Sequence, residues 1–416
     1  KFLMSLAWKN LFSKRKRTVI TASAIAAGLA MFILFDSILT GINIETERNL
    51  IWYETGSAMI MKEQLWEERE NLPLQYVIEE PAPLLEGLDS MGIAAAPRTS
   101  FSAEIVVYKD PFPEQGSIRV QVSAIDPNED QDVFRLKETI VDGRFLEPEE
   151  NGVLLGGWMA EDLGAKVGYP ITLVTRTRYG VYQTIDLEVV GILNTPNPVI
   201  NRSMAYIPIT LGDYYLQMEG AITELALHFP FTEDPDKKAA SIASDLQAKD
   251  RGLTVVSWRD LAHDFVEISS AKEMGTNLIM FLVFVIAAVG ISNTMLMAVY
   301  ERIREVGMMR AMGMSDAHIR LSFLFEAAGI GVIGGFIGVC IGILANIPLV
   351  NIGIDYSSLL RDMDVGYRIT GIMRGIWRPE MMVSAFFIAV IIAVVVAMIP
   401  TRKALKMQIT DCLHYQ

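Results

Sequence analysis

Four uncharged or nearly uncharged apolar runs, each long enough to cross a bilayer, constrain this chain more than any other feature. The hydrocarbon slab is about 30 Å thick and a helix rises about 1.5 Å per residue, so a span takes about 20 residues. Only a helix satisfies its own backbone there, apart from a closed barrel. The first run lies between Arg17 and Asp36 and resumes through Ile38 and Leu39; the second fills the charge-free stretch between Glu273 and Glu301. The third runs from Leu321 to Pro348 with Glu326 as its one charge, and the fourth lies between Glu380 and Arg402. A buried core helix is usually shorter and two-faced. The runs therefore predict spans over residues 18–40, 274–300, 321–348 and 380–401.

Lysine and arginine in the short flanks set the orientation, because cytoplasmic loops retain positive charge. Residues 1–17 carry Lys1, Lys9, Lys14, Arg15, Lys16 and Arg17 with no acidic residue, which puts this end in the cytoplasm. Segment 301–320, with Arg302, Arg304, Arg310 and Arg320, and tail 402–416, with Arg402, Lys403 and Lys406, fall on the same side. The short connection 349–379 carries Arg361, Arg368, Arg374 and Arg378, yet parity puts it outside. Residues 1–17 read as a helix along the inner membrane surface, with Leu3, Ala7 and Leu11 on one stripe beside Met4 and Trp8. A basic topology signal without a fold is the alternative.

Residues 41–272 form one extracytoplasmic block holding 38 Asp and Glu against 19 Lys and Arg, a net of −19 where the whole chain carries −13. That sign argues against nucleic acid as a partner, since phosphate binding wants positive charge. Neither Cys340 nor Cys412 lies in the block, so it must be stabilised by its own core rather than by disulfides. The runs "EIVVY", "IRVQVSAI", "GVLLGG", "PITLVT" and "TIDLEVVGIL" predict strands, with turns at Asp142-Gly143 and Pro196-Asn197-Pro198. "ELALHF", "DKKAASIASDLQAKD" and "LTVVSW" predict a strand, helix, strand unit, and "PAPLLEGLDSMG" a further helix. The block divides into a split α/β base, residues 45–125 and 215–265, and a β-rich insertion, 126–214. The fold class is thus an α-helical membrane protein with four transmembrane helices plus a large mixed α/β extracytoplasmic domain.

The third span contains a GxGxxG match, but no strand precedes it and a membrane helix surrounds it, so it is no nucleotide fingerprint. Gly331, Gly334, Gly335, Gly338 and Gly342 instead form overlapping GxxxG pairs that let backbones approach. Between the second and third spans, Glu301, Arg302, Arg304, Glu305 and Arg310 make a charged helix with Ile303, Val306 and Met309 along one side. Gly307 lies within it, Gly313 ends it, and Ser315-Asp316 supplies a cap and an acidic first turn for the next helix. Such an elbow suits docking into a partner's groove, whereas a solvated loop that only sets topology is the plainer reading. Asp36 is expected at the outer interface and Glu326 against the elbow. The four histidines form no HExxH or paired spacing, so no catalytic or metal-binding set is expected, and no GxxxxGK[ST] sequence occurs.

The run "NTMLMAVYERIREVGMMRAMGMSDAHI" with "FLFEAAGIGVIGGFIG" resembles the signature of MacB/FtsX-type permeases, the type VII ABC transporters, including the lipoprotein-releasing LolC/LolE group. "LAWKNLFSKRKRTVITASAIAAGLA" is similar to that family's N-terminal helix and first span, "IPTRKALKMQITDCLHY" to its closing tail, and "NGVLLGGWMAEDLGAKVGYPITLV" to its insertion subdomain. The tail departs from the pattern at Gln408 and Ile409, where the family often has proline.

The resemblance implies a MacB-like periplasmic core and a mechanical role in the inner membrane. A separate ABC ATPase dimer, which holds ATP and Mg, closes and pushes two permeases, identical or homologous, through the residues Glu301 to Gly313. This chain itself then binds no cofactor. Three tasks are open: lipoprotein release with a periplasmic carrier as a further partner, driving a periplasmic efflux assembly, or regulating a cell-wall hydrolase. A membrane receptor or adhesion module without any ATPase stands outside the family. Lipoprotein release would need a slot for acyl chains, and the outer halves of the first two spans offer Phe35, Ile38, Leu278 and Phe281; plain lipid-facing surface is the alternative for each.

Overall fold

The computed structural model describes residues 15–247, 252–355 and 372–406. Most of the expected interfacial helix, most of tail 402–416 and residues 356–371 of the short connection lie outside the described residues. The described residues divide into two compact units: 15–42, 269–355 and 373–406 form one, and 43–247 with 252–268 and 372 the other.

The first unit is built on four helices long and apolar enough to cross a membrane. They are Arg15–Leu50, His263–Glu301, Asp316–Asn351 and Pro379–Leu405. The first two outlast their apolar runs, because polar helix formers carry the hydrogen-bond ladder on without any charge-free signature.

The third helix is the hub of this unit, and its glycines explain why. A Cβ at Gly334 would lie 2.8 Å from the Ala22 carbonyl oxygen, and one at Gly338 2.9 Å from Ala26 Cα. Gly342 meets Ile33 of the same first helix. On the adjoining face, Cβ atoms at Gly331 and Gly335 would sit 3.0 Å from Ala393 Cβ and 2.9 Å from the Phe386 ring of the fourth helix. Lipid tails are as apolar as side chains, so association here rests on contact distance and not on water exclusion. Buried Ala22, Ala385, Ala389, Ala393 and Ala397 keep the partner surfaces equally low.

The second helix joins this core with its cytoplasmic half, where Ile291 and Met295 are buried. Among the described residues, its outer half leaves Leu278, Phe281, Leu282, Val285, Ile286 and Val289 exposed.

The outer ends of the other three helices are tied together. Arg378 Nη1 donates to Asp36 Oδ1 at 2.8 Å and to Thr40 Oγ1 at 3.0 Å. Ser37 Oγ donates to the Ile376 carbonyl at 2.8 Å, Ile376 N returns a bond to Ser37 O, and Gly375 N donates to Leu349 O at 3.2 Å.

The second unit is a sheet of ten strands, β1 (Ala58–Lys62), β2 (Ala94–Val107), β3 (Gly116–Ile125), β4 (Ile140–Gly143), β5 (Gly152–Gly156), β6 (Pro170–Arg176), β7 (Tyr182–Leu193), β8 (Met204–Pro208), β9 (Glu224–His228) and β10 (Leu253–Ser257). Its order is β10-β1-β9-β2-β3-β8-β5-β7-β4, with β6 pairing β2 and β7. Strand residues alternate between faces. Ala58, Ile60, Leu225 and Leu227 pack with Ala239, Ile242 and Leu246 of helix Pro235–Gln247. Their neighbours Met59, Met61 and Ala226 enter a second cluster with Phe134 and Tyr206. Phe101, Ala103, Ile105 and Val107 of β2 supply a third.

The sheet runs through both the expected base and the expected insertion, and the second and third clusters draw on both. One turn is corrected. Asp142-Gly143 does not join two strands; it ends β4, where Gly143 has φ +78° and a Cβ would strike the Val190 carbonyl oxygen of the paired β7. The glycine serves close backbone approach beside a register shift, not a hairpin. Within the second cluster, Arg98 Nε and Nη2 reach Asp130 Oδ1 at 2.8 and 2.7 Å, and the guanidinium lies 3.4 Å over the Phe134 ring centroid.

Candidate functional site

The second span's helix ends at Glu301, and the chain bends at Arg302, whose backbone sits at φ −113° and ψ 17°, before the elbow helix Ile303–Ala311 begins. The bend has a cause in charge. Arg302 and Glu326, 10% and 2% exposed in their side chains, pair at 3.2 Å, which ties the corner to the third span. A carboxylate this deep needs such a partner. The elbow closes with Gly313 at φ +90°: Met314 N donates to Met309 O and Gly313 N to Arg310 O, the αL ending that satisfies otherwise orphaned carbonyls. Arg310 Nε then reaches Asp316 Oδ1 at 3.0 Å across the turn. Ser315 holds the cap position of the third helix, but its hydroxyl meets His318 Nδ1 at 2.7 Å instead of capping an N–H.

The elbow's apolar stripe faces inward. Ile303 and Val306 are buried, and Val306 forms a small core with Val299, Ile319 and Phe323 against which Met309, Met314 and Leu405 pack. The chain's own helices thus cover the side that carries Ile303, Val306 and Met309. Gly307 is buried on the same side, while Glu301, Arg304 and Glu305 face out. Met308 and Met312, 51% and 79% exposed, are the elbow's outward apolar groups. They rim a groove of about 520 Å³ between the elbow and the start of the third span, floored by Val306, Ile319 and Phe323. Flexible thioethers around an apolar floor, with charged Glu305 and Arg302 at its edges, make a receptive surface for a helical element.

Of the four residues expected to form an acyl slot, Phe281 lines a second groove together with Phe32 and Phe284. Phe35, Ile38 and Leu278 do not line it, and Phe35 and Leu278 are exposed. The reading of the sequence missed Met308 and Met312, whose only signal was their position opposite the apolar stripe. It also missed the Asp36–Arg378 pair, which joins positions too distant in sequence for any spacing to show. Among the described residues, no group of three or more His, Cys, Asp or Glu side chains could hold a metal ion.

Comparison with known proteins places this geometry in a family. Residues 18–244 match the family described as MacB-like periplasmic core domain, and residues 277–409 that described as FtsX-like permease C-terminal. The lipoprotein-releasing system transmembrane protein LolC of Neisseria meningitidis serogroup B is 24% identical over 96% of this chain and 94% of its own length. The macrolide export ATP-binding/permease protein MacB of Escherichia coli is 24% identical over 54% of this chain and 33% of its own. The crystal structure of the periplasmic region of MacB from Actinobacillus actinomycetemcomitans covers 54% of this chain and 98% of itself at 13% identity, with a TM-score of 0.37. The matched regions together take in strands β1 to β9, the spans and the elbow between them, and the chain belongs to the ABC transporter permeases that join a MacB-like periplasmic core domain to an FtsX-like membrane region.

Proposed function

We propose that this chain is the inner-membrane permease of a lipoprotein-releasing ABC machine, and that Met308, Met312 and Glu305 of the elbow receive the push of an ATPase carried on another polypeptide. The ATPase dimer holds ATP and Mg; this chain, paired with an identical or homologous permease, turns its closure into motion of the outer domain. One observation carries the coupling role: the elbow has an outward methionine rim on a helix whose inner side is locked to the second and third spans. A load applied to the rim has no soft layer to disappear into, because the Arg302–Glu326 pair and the Val306 core join the elbow to both helices. Similarity to LolC across nearly the whole chain supports lipoprotein release. A periplasmic carrier would then accept the cargo.

The coupling experiment replaces Met308 and Met312 together with glutamate and reconstitutes the variant with its ATPase. Hydrolysis is expected to continue while work on cargo falls at least tenfold. Unchanged transport would remove the rim from the mechanism. For the cargo, a photo-crosslinker at Phe35 or Ile38 is expected to capture acylated protein before ATP and lose it afterwards. Adducts with macrolide-like or other soluble cargo in the outer domain alone would favour the efflux reading instead.

A further inference from the structure

The second span is tight at one end and gapped at the other. Its cytoplasmic half buries Ile291, Met295 and Val299. Its outer half stands away from the first and fourth spans and leaves a groove of about 400 Å³. That groove runs from Asn277 to Ala288 along the second span and from Met381 to Ile392 along the fourth, with Phe32 and Phe284 in its wall. The eleven steps from end to end on each helix correspond to about 17 Å at 1.5 Å per residue. Half of the hydrocarbon slab is about 15 Å. The groove therefore has the depth of one leaflet, and the orientation of the chain makes it the outer one.

Its chemistry fits the same occupant. The Ser384 hydroxyl is already spent on the Met381 carbonyl at 2.9 Å, which leaves Asn277, at the outer end, as the polar group. Arg378, three residues before Met381, is itself paired with Asp36 just ahead of the fourth helix. A transmembrane helix is too large for the space: 17 Å of a helix about 10 Å across fills roughly 1,300 Å³. A single hydrocarbon chain is slim enough, and water is excluded because the walls offer it no partners.

We propose that this groove holds one fatty-acyl chain of an outer-leaflet phospholipid as a resident wedge between the second and fourth spans. Phe281 lines this groove too, but the proposal does not depend on cargo release. The full-length protein, purified from its own membrane in mild detergent, is expected to retain one phospholipid per chain by native mass spectrometry. Ala288→Phe or Ser384→Phe, which fill the groove, should lower that retention at least tenfold. Val289→Phe, on the exposed side of the same helix, should leave it unchanged. In native membranes a photo-crosslinker at Phe284 should yield a phospholipid adduct, a readout that stands even if the filled variants do not fold. Absence of retained lipid together with absence of that adduct, equal loss in Val289→Phe, or an adduct only with lipoprotein or with a protein helix would each overturn the proposal.

Discussion

The two ends of the membrane unit use the same chemistry at different depths. At the cytoplasmic end Arg302 and Glu326 are almost fully enclosed; at the outer end Arg378 and Asp36 are 41% and 16% exposed. The outer pair is backed by main-chain bonds between Ser37 and Ile376 and between Gly375 and Leu349. The inner pair lies instead beside the packed side chains of the elbow and third span. Burial turns an ion pair from an accessory into a fixture, since a lone charge left in a dry corner cannot be rescued by solvent. The difference teaches where the unit tolerates no slack: at the corner where the elbow meets the spans.

The largest expected effect tests that ranking. Glu326→Ala strands Arg302 and should destabilise the chain by about 3–5 kcal/mol, read by denaturant or thermal unfolding in detergent. The double variant Arg302→Met with Glu326→Leu should recover most of that loss, because two apolar side chains leave no charge unpaired. Asp36→Asn should cost no more than about 1 kcal/mol, and less at high salt, as befits a solvent-screened pair. Equal losses at the two ends would erase the contrast.

The outer unit extends the comparison with a titrating group that has no ion-pair partner to lose. Burial, reinforced by Arg135, holds the His228 pKa below its ordinary 6.5, and among the described residues its Nδ1 finds no hydrogen-bond partner. Below pH 6.5 the unfolded chain binds a proton that the folded chain resists. Stability of this unit should fall as pH drops from about 6.5 toward the depressed value and stay flat above it, and His228→Phe should remove the slope. This is the smallest of the three effects, and a slope that survives the substitution would place its origin elsewhere.

Much of the membrane unit was legible in the sequence because hydrocarbon enforces a simple rule, and charge-free runs announce helices. Where the rule lapses, so does the reading: the extensions to Leu50 and back to His263 are polar helix that water tolerates equally well. In the outer unit the β-branched runs marked β3, β6 and β7, whereas β1 is the methionine-rich "AMIMK" and the first ten residues of β2 are "AAAPRTSFSA". Those segments are strands because neighbours on both sides pair with them, a tertiary fact that local preference cannot carry. At the elbow the period of the apolar stripe was visible, but which surface covers it was not. Glu326 and Arg302 lie 24 residues apart, and their meeting depends on the whole path of the turn between them.

The half-packed second span is also a lever. Its cytoplasmic half is held near Met295, and Asn277 lies 18 residues away, about 27 Å along the helix axis. A tilt of about 10° about that fulcrum carries the far end through about 5 Å, roughly the width of one hydrocarbon chain, while the fulcrum itself hardly moves. A machine built this way needs only a small stroke at its base to change which lipid-sized object fits at its tip.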